Sequence, residues 1–169
     1  LGINTPGHRS SPIQIPGTTW ALCAMGKNNS YAIKTDGTMW AWGDNDYGRL
    51  GINAAHGSQW SSPKQIPGTT WKSTGKSLSA SEDGGMAIKT DGTLWAWGSG
   101  THGALAQNNQ TQYSSPVQIP GTTWSKTVGR VCLKTDNTMW AWGQNQYGVV
   151  ANNTGGTYYS SPIQIPGTE

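Results

Sequence analysis

The 169 residues contain no Phe, two Cys, and an acidic and basic content that differs by only three charges, 8 Asp and Glu against 11 Lys and Arg. Each scarcity excludes something. Two cysteines permit one disulfide at most, and Cys23 and Cys132 occupy different positions of different repeats, so no bridge is expected and the redox compartment is not readable. The slight basicity forms no stripe suited to a phosphate backbone, because Lys34, Lys89 and Lys134 occupy one repeated position; nucleic acid is not an expected partner. No apolar run approaches the roughly 18 residues of a membrane helix, and no signal peptide is read, so membrane insertion is not expected. With 34% hydrophobic residues and 24 Gly, the composition describes short strands and many turns instead of helices.

What is present is tryptophan in a repeated phase. All ten except Trp60 fall into three sets. Trp20, Trp71 and Trp124 each follow a Gly-Thr-Thr stretch, and the pairs Trp40 and Trp42, Trp95 and Trp97, Trp140 and Trp142 each bracket one Ala. A Ser-Ser-Pro run recurs at Pro12, Pro63, Pro116 and Pro162, a period of roughly 50 residues, which signifies blades or solenoid turns. Cutting there gives units of about 12–62, 63–115 and 116–161 with partial flanks. The chain starts at Leu1, which matches Leu50 inside the first unit, so it is expected to be a piece of a longer array or one of several chains that build it.

Within each unit, Tyr31 to Trp42 reads as two strands around Asp36-Gly37. Asp-Gly suits a two-residue type I′ hairpin, and Asn137, replacing Gly in the third unit, also tolerates the left-handed region. That turn would set Ile33 opposite Trp40, Ala32 opposite Ala41 and Tyr31 opposite Trp42, and their counterparts likewise. Cys132 would replace a small Ala in a sheet face, a buried and inert thiol. A strand around Trp20 and another through Ser-Ser-Pro complete four antiparallel strands. The prolines flanking that last strand suit a sheet edge, where a missing N–H breaks no ladder. The fold expected is all-β: about three four-stranded propeller blades, part of a larger or multi-chain propeller, since three blades do not close a ring.

The segments 35–51 and 90–98, each an Asp-Gly hairpin followed by Trp-Ala-Trp-Gly, the first continuing to Tyr47-Gly48-Arg49-Leu50-Gly51, resemble the repeat of the regulator of chromosome condensation family. The resemblance implies a β-propeller, and its literal spelling is closer to bacterial and bacteriophage versions than to eukaryotic ones. This chain departs from the pattern at His102-Gly103-Ala104-Leu105-Ala106. It departs again in the spacing between the first Trp and the Lys of each unit. These departures put the first strand of each unit in doubt.

Catalytic groups do not assemble in the sequence. His8, His56 and His102 lie in Gly-containing loops without a repeated acidic companion, so neither a hydrolytic triad nor a metal set is read. Asp44-Asn45-Asp46 lacks the Gly and distal Glu of a calcium loop, and no phosphate-binding motif occurs. No cofactor is expected. The stretches 52–60, 106–113 and 151–159 differ between units while their flanks hardly change. They supply the candidate ligand contacts: Asn53, His56, Gln59, Trp60, Asn108, Asn109, Gln112, Tyr113, Asn152, Asn153, Tyr158 and Tyr159. Amides with exposed rings suit sugar faces and protein epitopes. The same loops also suit a propeller with no ligand there.

The expected function is a non-enzymatic binding or structural module, extracellular or on a virion surface such as a tail or fibre, with a protein or glycan partner. Two alternatives stay open: guanine-nucleotide exchange on a small GTPase, implied by the family's founder, and inhibition of a secreted enzyme.

Overall fold

The computed structural model describes residues 2–3, 10–152 and 154–167. Among the described residues twelve strands form three sheets, each of four antiparallel strands in sequence order. Blade 1 comprises β1 (Trp20–Met25), β2 (Asn29–Lys34), β3 (Met39–Asp44) and β4 (Gln59–Ile66); blade 2, β5 (Leu78–Ala80), β6 (Gly84–Ile88), β7 (Leu94–Gly98) and β8 (Tyr113–Ile119); blade 3, β9 (Trp124–Val128), β10 (Val131–Lys134), β11 (Met139–Gln144) and β12 (Tyr158–Gln164). These are propeller blades. Each Ser-Ser-Pro unit begins in the outer strand of one sheet and runs on into the inner strands of the next.

The first strand exists in every blade, and its unequal spacing is absorbed locally. Blade 2 pairs Trp71 with Lys89 as an isolated bridge and bulges through 72–77 before β5, whereas in blade 3 Val128 and Val131 pair across Gly129-Arg130. First strands of neighbouring blades touch: Ser79 Oγ and Thr127 Oγ1 are 3.1 Å apart, and the Thr127 N–H donates to Lys76 O at 2.7 Å.

The central hairpins differ from the sequence expectation by one residue. Ile33 faces Met39, Ala32 faces Trp40, Tyr31 faces Ala41 and Ser30 faces Trp42; blades 2 and 3 repeat this with Ile88 opposite Leu94 and Leu133 opposite Met139. The cause is the Asp side chain. Asp36 Oδ1 accepts from Thr38 N at 2.9 Å and from Thr38 Oγ1 at 2.7 Å, a local bond that competes with the I′ geometry. Asp36 stays out of the left-handed region and only Gly37 enters it, at φ 78°, as do Gly92 at 80° and Asn137 at 66°. The turn is therefore a three-residue loop with a bulge, not a two-residue I′ turn.

That shift of one residue exchanges the sheet faces. Trp40 and Trp42 now share a face with Ala32, while Tyr31, Ile33, Met39 and Ala41 line the other. Rather than facing aliphatic partners across their own sheet, the tryptophans meet them across a blade junction. In the first core Tyr31, Ile33, Met39, Ala41, Leu50 and Ile66 of blade 1 receive Trp71, Ala87 and Trp97 of blade 2. The second core repeats this with Met86, Ile88, Leu94, Ala96, Leu105 and Ile119 against Trp124, Cys132 and Trp142. Tyr31 and Trp97 meet edge to face at 5.5 Å between ring centres.

The outer Trp of each pair is held by a polar relay. Trp40 Nε1 donates to Thr38 Oγ1 at 3.0 Å, and that hydroxyl donates onward to Asp36; Trp95 with Thr93 and Asp91, and Trp140 with Thr138 and Asp136, repeat it. Lys34 Nζ sits 4.9 Å from the Trp20 ring and 4.7 Å from the Trp40 ring, and Lys89 and Lys134 do the same in their blades, a cation–π contact.

The two ends of the array are less fully covered, although Trp42 and Ala32 of blade 1 stay buried, at 6% and 3% exposed. Met139 is 42% exposed and Val131 37%, whereas their counterparts Met39, Leu94 and Tyr31 are 0% and Met86 is 7%. Trp20 is half-buried, while Trp71 and Trp124 are buried.

Two outcomes follow. Trp124→Ala empties a filled junction and is expected to cost about 3–5 kcal/mol in urea denaturation, against about 1–2 kcal/mol for Trp20→Ala at a half-buried position. The hydrogen bonds from Thr38, Thr93 and Thr138 hold the carboxyls of Asp36, Asp91 and Asp136 below their ordinary value, 3.8. A lowered folded-state pKa gives stability that is present above 3.8 and is lost as pH falls through the lower folded values. Replacing all three by Asn should flatten the acid limb of a melting-temperature profile, and an unchanged limb would refute the assignment.

Candidate interaction rim

Antiparallel order sorts the connections onto two rims. One carries the near-identical hairpin turns 35–37, 90–92 and 135–137 with the Pro-Gly-Thr-Thr linkers. The other carries the connections that differ most between units: the inner turns 26–28, 81–83 and 129–130, and the outer loops 45–58, 99–112 and 145–157.

Each outer loop is built around one buried amide or a substitute. Asn45, 1% exposed, donates through Nδ2 to Ala55 O at 2.9 Å and to Ala54 O and Ser58 Oγ at 3.3 Å, and its Oδ1 accepts from Leu50 N at 3.1 Å. Asn145 makes the same set with Thr154 O, Asn152 Oδ1 and Val150 N. Blade 2 has Gly100 there, and a Cβ at Gly100 would lie 2.1 Å from Thr111 O. Beside Asn45, Asp44 and Arg49 form a largely buried ion pair at 3.2 Å.

The loops also bind the next blade. Asn53 N donates to Ser114 O at 2.8 Å, and Asn108 N to Ser160 O at 2.6 Å. Gly48 and Gly103 allow that approach, since a Cβ on either would stand 2.6 Å from the Cα of Ser114 or Ser160. The Trp142 indole N–H donates to Ala104 O at 2.9 Å. At the first junction the Tyr31 hydroxyl takes the equivalent carbonyl, Arg49 O, and Trp97 Nε1 is buried without an acceptor. Burial raises the Tyr31 pKa, opposed by the adjacent Trp97 indole and by the charge of Arg49.

The sequence-derived contact residues divide accordingly. Asn53 and Asn108 bridge blades through their backbones, with side chains exposed. Asn152 is a support, accepting from Asn145 and Thr154. Trp60 is part of β4, half-buried against the first core, with Lys64 Nζ 4.6 Å over its ring, and Tyr113 packs in the same way on the second. Gln59 lies opposite Asp44 at the strand start, and His56 and Gln112 are exposed. Asn109 Nδ2 donates to Tyr113 OH at 3.3 Å, and Tyr159 OH lies 2.8 Å from Thr154 Oγ1. Tyr158, 47% exposed, accepts from Gln110 Nε2 at 3.0 Å and stacks edge-on with His102 at 6.2 Å. Asn153 and His8 lie outside the described residues.

The inner turns were not singled out in the sequence, and the unequal Trp-to-Lys spacing marks them only in part, since in blade 2 the extra residues form the bulge at 72–77. They place Lys27 and Glu82 in an exposed ion pair at 2.8 Å. Arg130 borders a cleft of about 140 Å³ with Ser79, Asp83, Trp97 and Ser99. That volume is below the roughly 300 Å³ of an ordinary small-molecule pocket. Among the described residues no cluster of three or more potential metal ligands occurs. Cys23 and Cys132 are both free; burial pushes the Cys132 thiol up to about 12, partly offset by its bond to Thr127 Oγ1.

Comparison with known proteins agrees with the repeat. The regulator of chromosome condensation (RCC1) repeat matches residues 24–49 and, through a second model of that repeat, 91–132. The chain is 26% identical over 106 residues to the human E3 ubiquitin-protein ligase HERC2, covering 63% of this chain and 2% of that protein. It is 29% identical over 105 residues to the regulator of chromosome condensation of Xenopus laevis, covering 61% of this chain and 23% of that one. The chain thus spans less than a quarter of these relatives. Among solved structures, Prp20p from Saccharomyces cerevisiae, described with its binding properties to Gsp1p and histones, superposes with a TM-score of 0.74 at 17% identity, over 89% of this chain and 39% of that one. Human WBSCR16 gives 0.71 at 22% identity, over 95% and 41%. At these identities the superpositions show the fold.

Asn45→Ala would orphan several buried groups and is expected to cost about 2–3 kcal/mol. Hydrogen exchange should rise in residues 46–58 and stay unchanged in blade 3. In the native protein a thiol reagent should label Cys23 quickly and Cys132 only after unfolding, read by mass spectrometry.

Proposed function

We propose that this chain is a non-catalytic binding module that recognises a protein or glycan through its variable rim, as part of a surface or virion assembly. The observation that carries the reading is the concentration of the loops that differ between units on one rim, with the opposite rim nearly constant apart from the bulge at 72–77. A rigid β scaffold that varies only along one edge has the organisation of a recognition surface. The exposed chemistry there is amides, hydroxyls and rings, with Tyr158 and His102 side by side and the Lys27–Glu82 pair towards the centre. The cleft on this rim is small, which favours contact over a broad face there above enclosure of a small substrate. The exposed Met139 and Val131 on the end face of blade 3 and the half-buried Trp20 of blade 1 support further blades as partners, from a longer protein or from another chain.

A second reading, a regulator of a small GTPase, draws on the similarity to the regulator of chromosome condensation. The variable rim would serve it as well. The experiment that separates the two is a glycan array together with a pull-down from whole bacterial cells, run beside a nucleotide-release assay with a small GTPase. Binding in either of the first two, reduced about tenfold or more by Tyr158→Ala with His102→Ala and unaffected by Asp136→Asn on the opposite rim, supports recognition. Accelerated nucleotide release would replace it with the second reading, and silence in all three leaves a purely structural role.

A further inference from the structure

On the variable rim, the space between two neighbouring blades is filled at the first junction and open at the second. Strand pairing fixes which residues correspond. Asn29 faces Gly43 and Tyr31 faces Ala41 in blade 1, as Gly84 faces Gly98 and Met86 faces Ala96 in blade 2. Asp44, one step beyond Gly43, therefore corresponds to Ser99. Arg49 corresponds to Ala104, because each ends the single-turn helix of its loop and each lends its carbonyl to an aromatic group, the Tyr31 hydroxyl in one case and the Trp142 indole in the other. Blade 1 thus turns Asn29, Tyr31, Asp44 and Arg49 towards its neighbour where blade 2 has Gly84, Met86, Ser99 and Ala104. Each exchange removes side-chain atoms, and the cleft of about 140 Å³ lies where they are missing.

Charge changes with shape. At the first junction blade 1 supplies both an acid and a base, and the Asp44–Arg49 pair closes at 3.2 Å with its side chains 19% and 8% exposed. At the second junction neither is present on blade 2. A base comes instead from the opposite wall, as Arg130 in the inner turn of blade 3. That turn is short. In blades 1 and 2 the longer turn lays a carbonyl across the neighbouring strand, Asn28 O accepting from Asp44 N and Asp83 O from Ser99 N, both at 2.9 Å. In blade 3 the Arg130 side chain lies there, so that a Cβ at Gly143 would stand 2.7 Å from Arg130 Cδ. Its stem is held by packing, yet its charge is not met: among the described residues the ion pairs are Lys27–Glu82 and Asp44–Arg49. Asp83 shares the lining of the cleft and has no ionic partner either.

We propose that this cleft receives a glutamate side chain of a protein partner, its carboxylate pairing with Arg130 and its methylenes lying on Met86, Ala104 and Leu105. The occupant restores what the first junction holds within the chain, an acid against an arginine with apolar surface around both. Size sets the class of ligand: a cavity of roughly 150 Å³ holds a single benzene ring, so this one takes one side chain and not a whole small molecule. One inserted side chain acts as the anchor of a wider contact, and the adjoining exposed loops supply the rest of that contact. An arginine favours a carboxylate over an amide or an alkyl group through a charge-assisted bond that gains strength beside apolar walls. Asp83 opposes the same carboxylate, and so tunes the site down. The inference rests on the reading of the variable rim as a recognition surface, and commits it to protein.

The probes are capped pentapeptides, Gly-Gly-Xaa-Gly-Gly with Glu, Gln, Leu or Lys at the centre, titrated to millimolar concentration against the full chain and followed by NMR. The Glu peptide is expected to bind saturably, about fivefold or more tighter than the Gln peptide, with shifts at the methyl groups of Met86, Ala104 and Leu105. Arg130→Glu should abolish that preference and move it to the Lys peptide. Asp83→Asn, a nearly isosteric change, should tighten the Glu peptide about threefold, which keeps the test independent of any loss of fold in Arg130→Glu. Equal binding of the Leu and Glu peptides, indifferent to both substitutions, would overturn the acidic occupant, and no saturable binding of any peptide would overturn the cleft as a site. A partner captured from whole cells that ignores both substitutions would overturn the anchor while leaving recognition by the rim in place.

Discussion

Everything in this molecule depends on an indole face of one blade lying on the aliphatic face of the blade before it. Neither face is useful alone. A four-stranded antiparallel sheet of this size, with bulky apolar residues on both sides, needs cover on both sides. Repeating the same two faces at every step makes each blade the cover for its neighbour. Trp97 between blades 1 and 2 and Trp142 between blades 2 and 3 serve this role, and both are almost completely removed from solvent.

Around that contact, polar chemistry satisfies some of the buried indoles, whereas the N–H groups of Trp20, Trp60, Trp71 and Trp97 have no partner among the described residues. The outer Trp of each pair hands its N–H to a Thr, which leans on an Asp that also shapes the turn. One three-residue device thus closes the hairpin, sets the register and satisfies an indole. Trp142 reaches a loop carbonyl of the preceding blade, whereas at the first junction a tyrosine hydroxyl takes that carbonyl and Trp97 forgoes it. Conserving the packing while varying the bond shows which of the two carries more of the junction: burial of the ring dominates, and an intramolecular hydrogen bond adds a net increment of about 1 kcal/mol.

Strand number, order and hairpin positions were legible in the sequence because the period, the Asp-Gly signals and the alternation of residues are local. Register was not. Asp36 has two ways of serving a turn, through its backbone or through its carboxylate, and the sequence does not distinguish them until Thr38 is seen to accept from Trp40 and donate to Asp36. The candidate rim was half legible. Differences between units marked the outer loops, yet the sequence could not show that Asn53 and Asn108 reach the neighbouring strand through their amide N–H groups, nor that Trp60 turns inward. The inner turns were overlooked because unequal spacing reads as irregularity until topology places 26–28, 81–83 and 129–130 on the same rim as the outer loops.

The middle blade contributes one face to each of the two cores, so its position differs from that of its neighbours even though its strand pattern does not. Blade 1 or blade 3 can detach at the cost of a single core, but melting blade 2 dissolves both. Cooperativity in such an array is therefore a property of place: the centre acts as a keystone, and loosening begins at the extremities. A single unfolding free energy would then average over partly opened states, as expected of a chain whose order runs in one dimension.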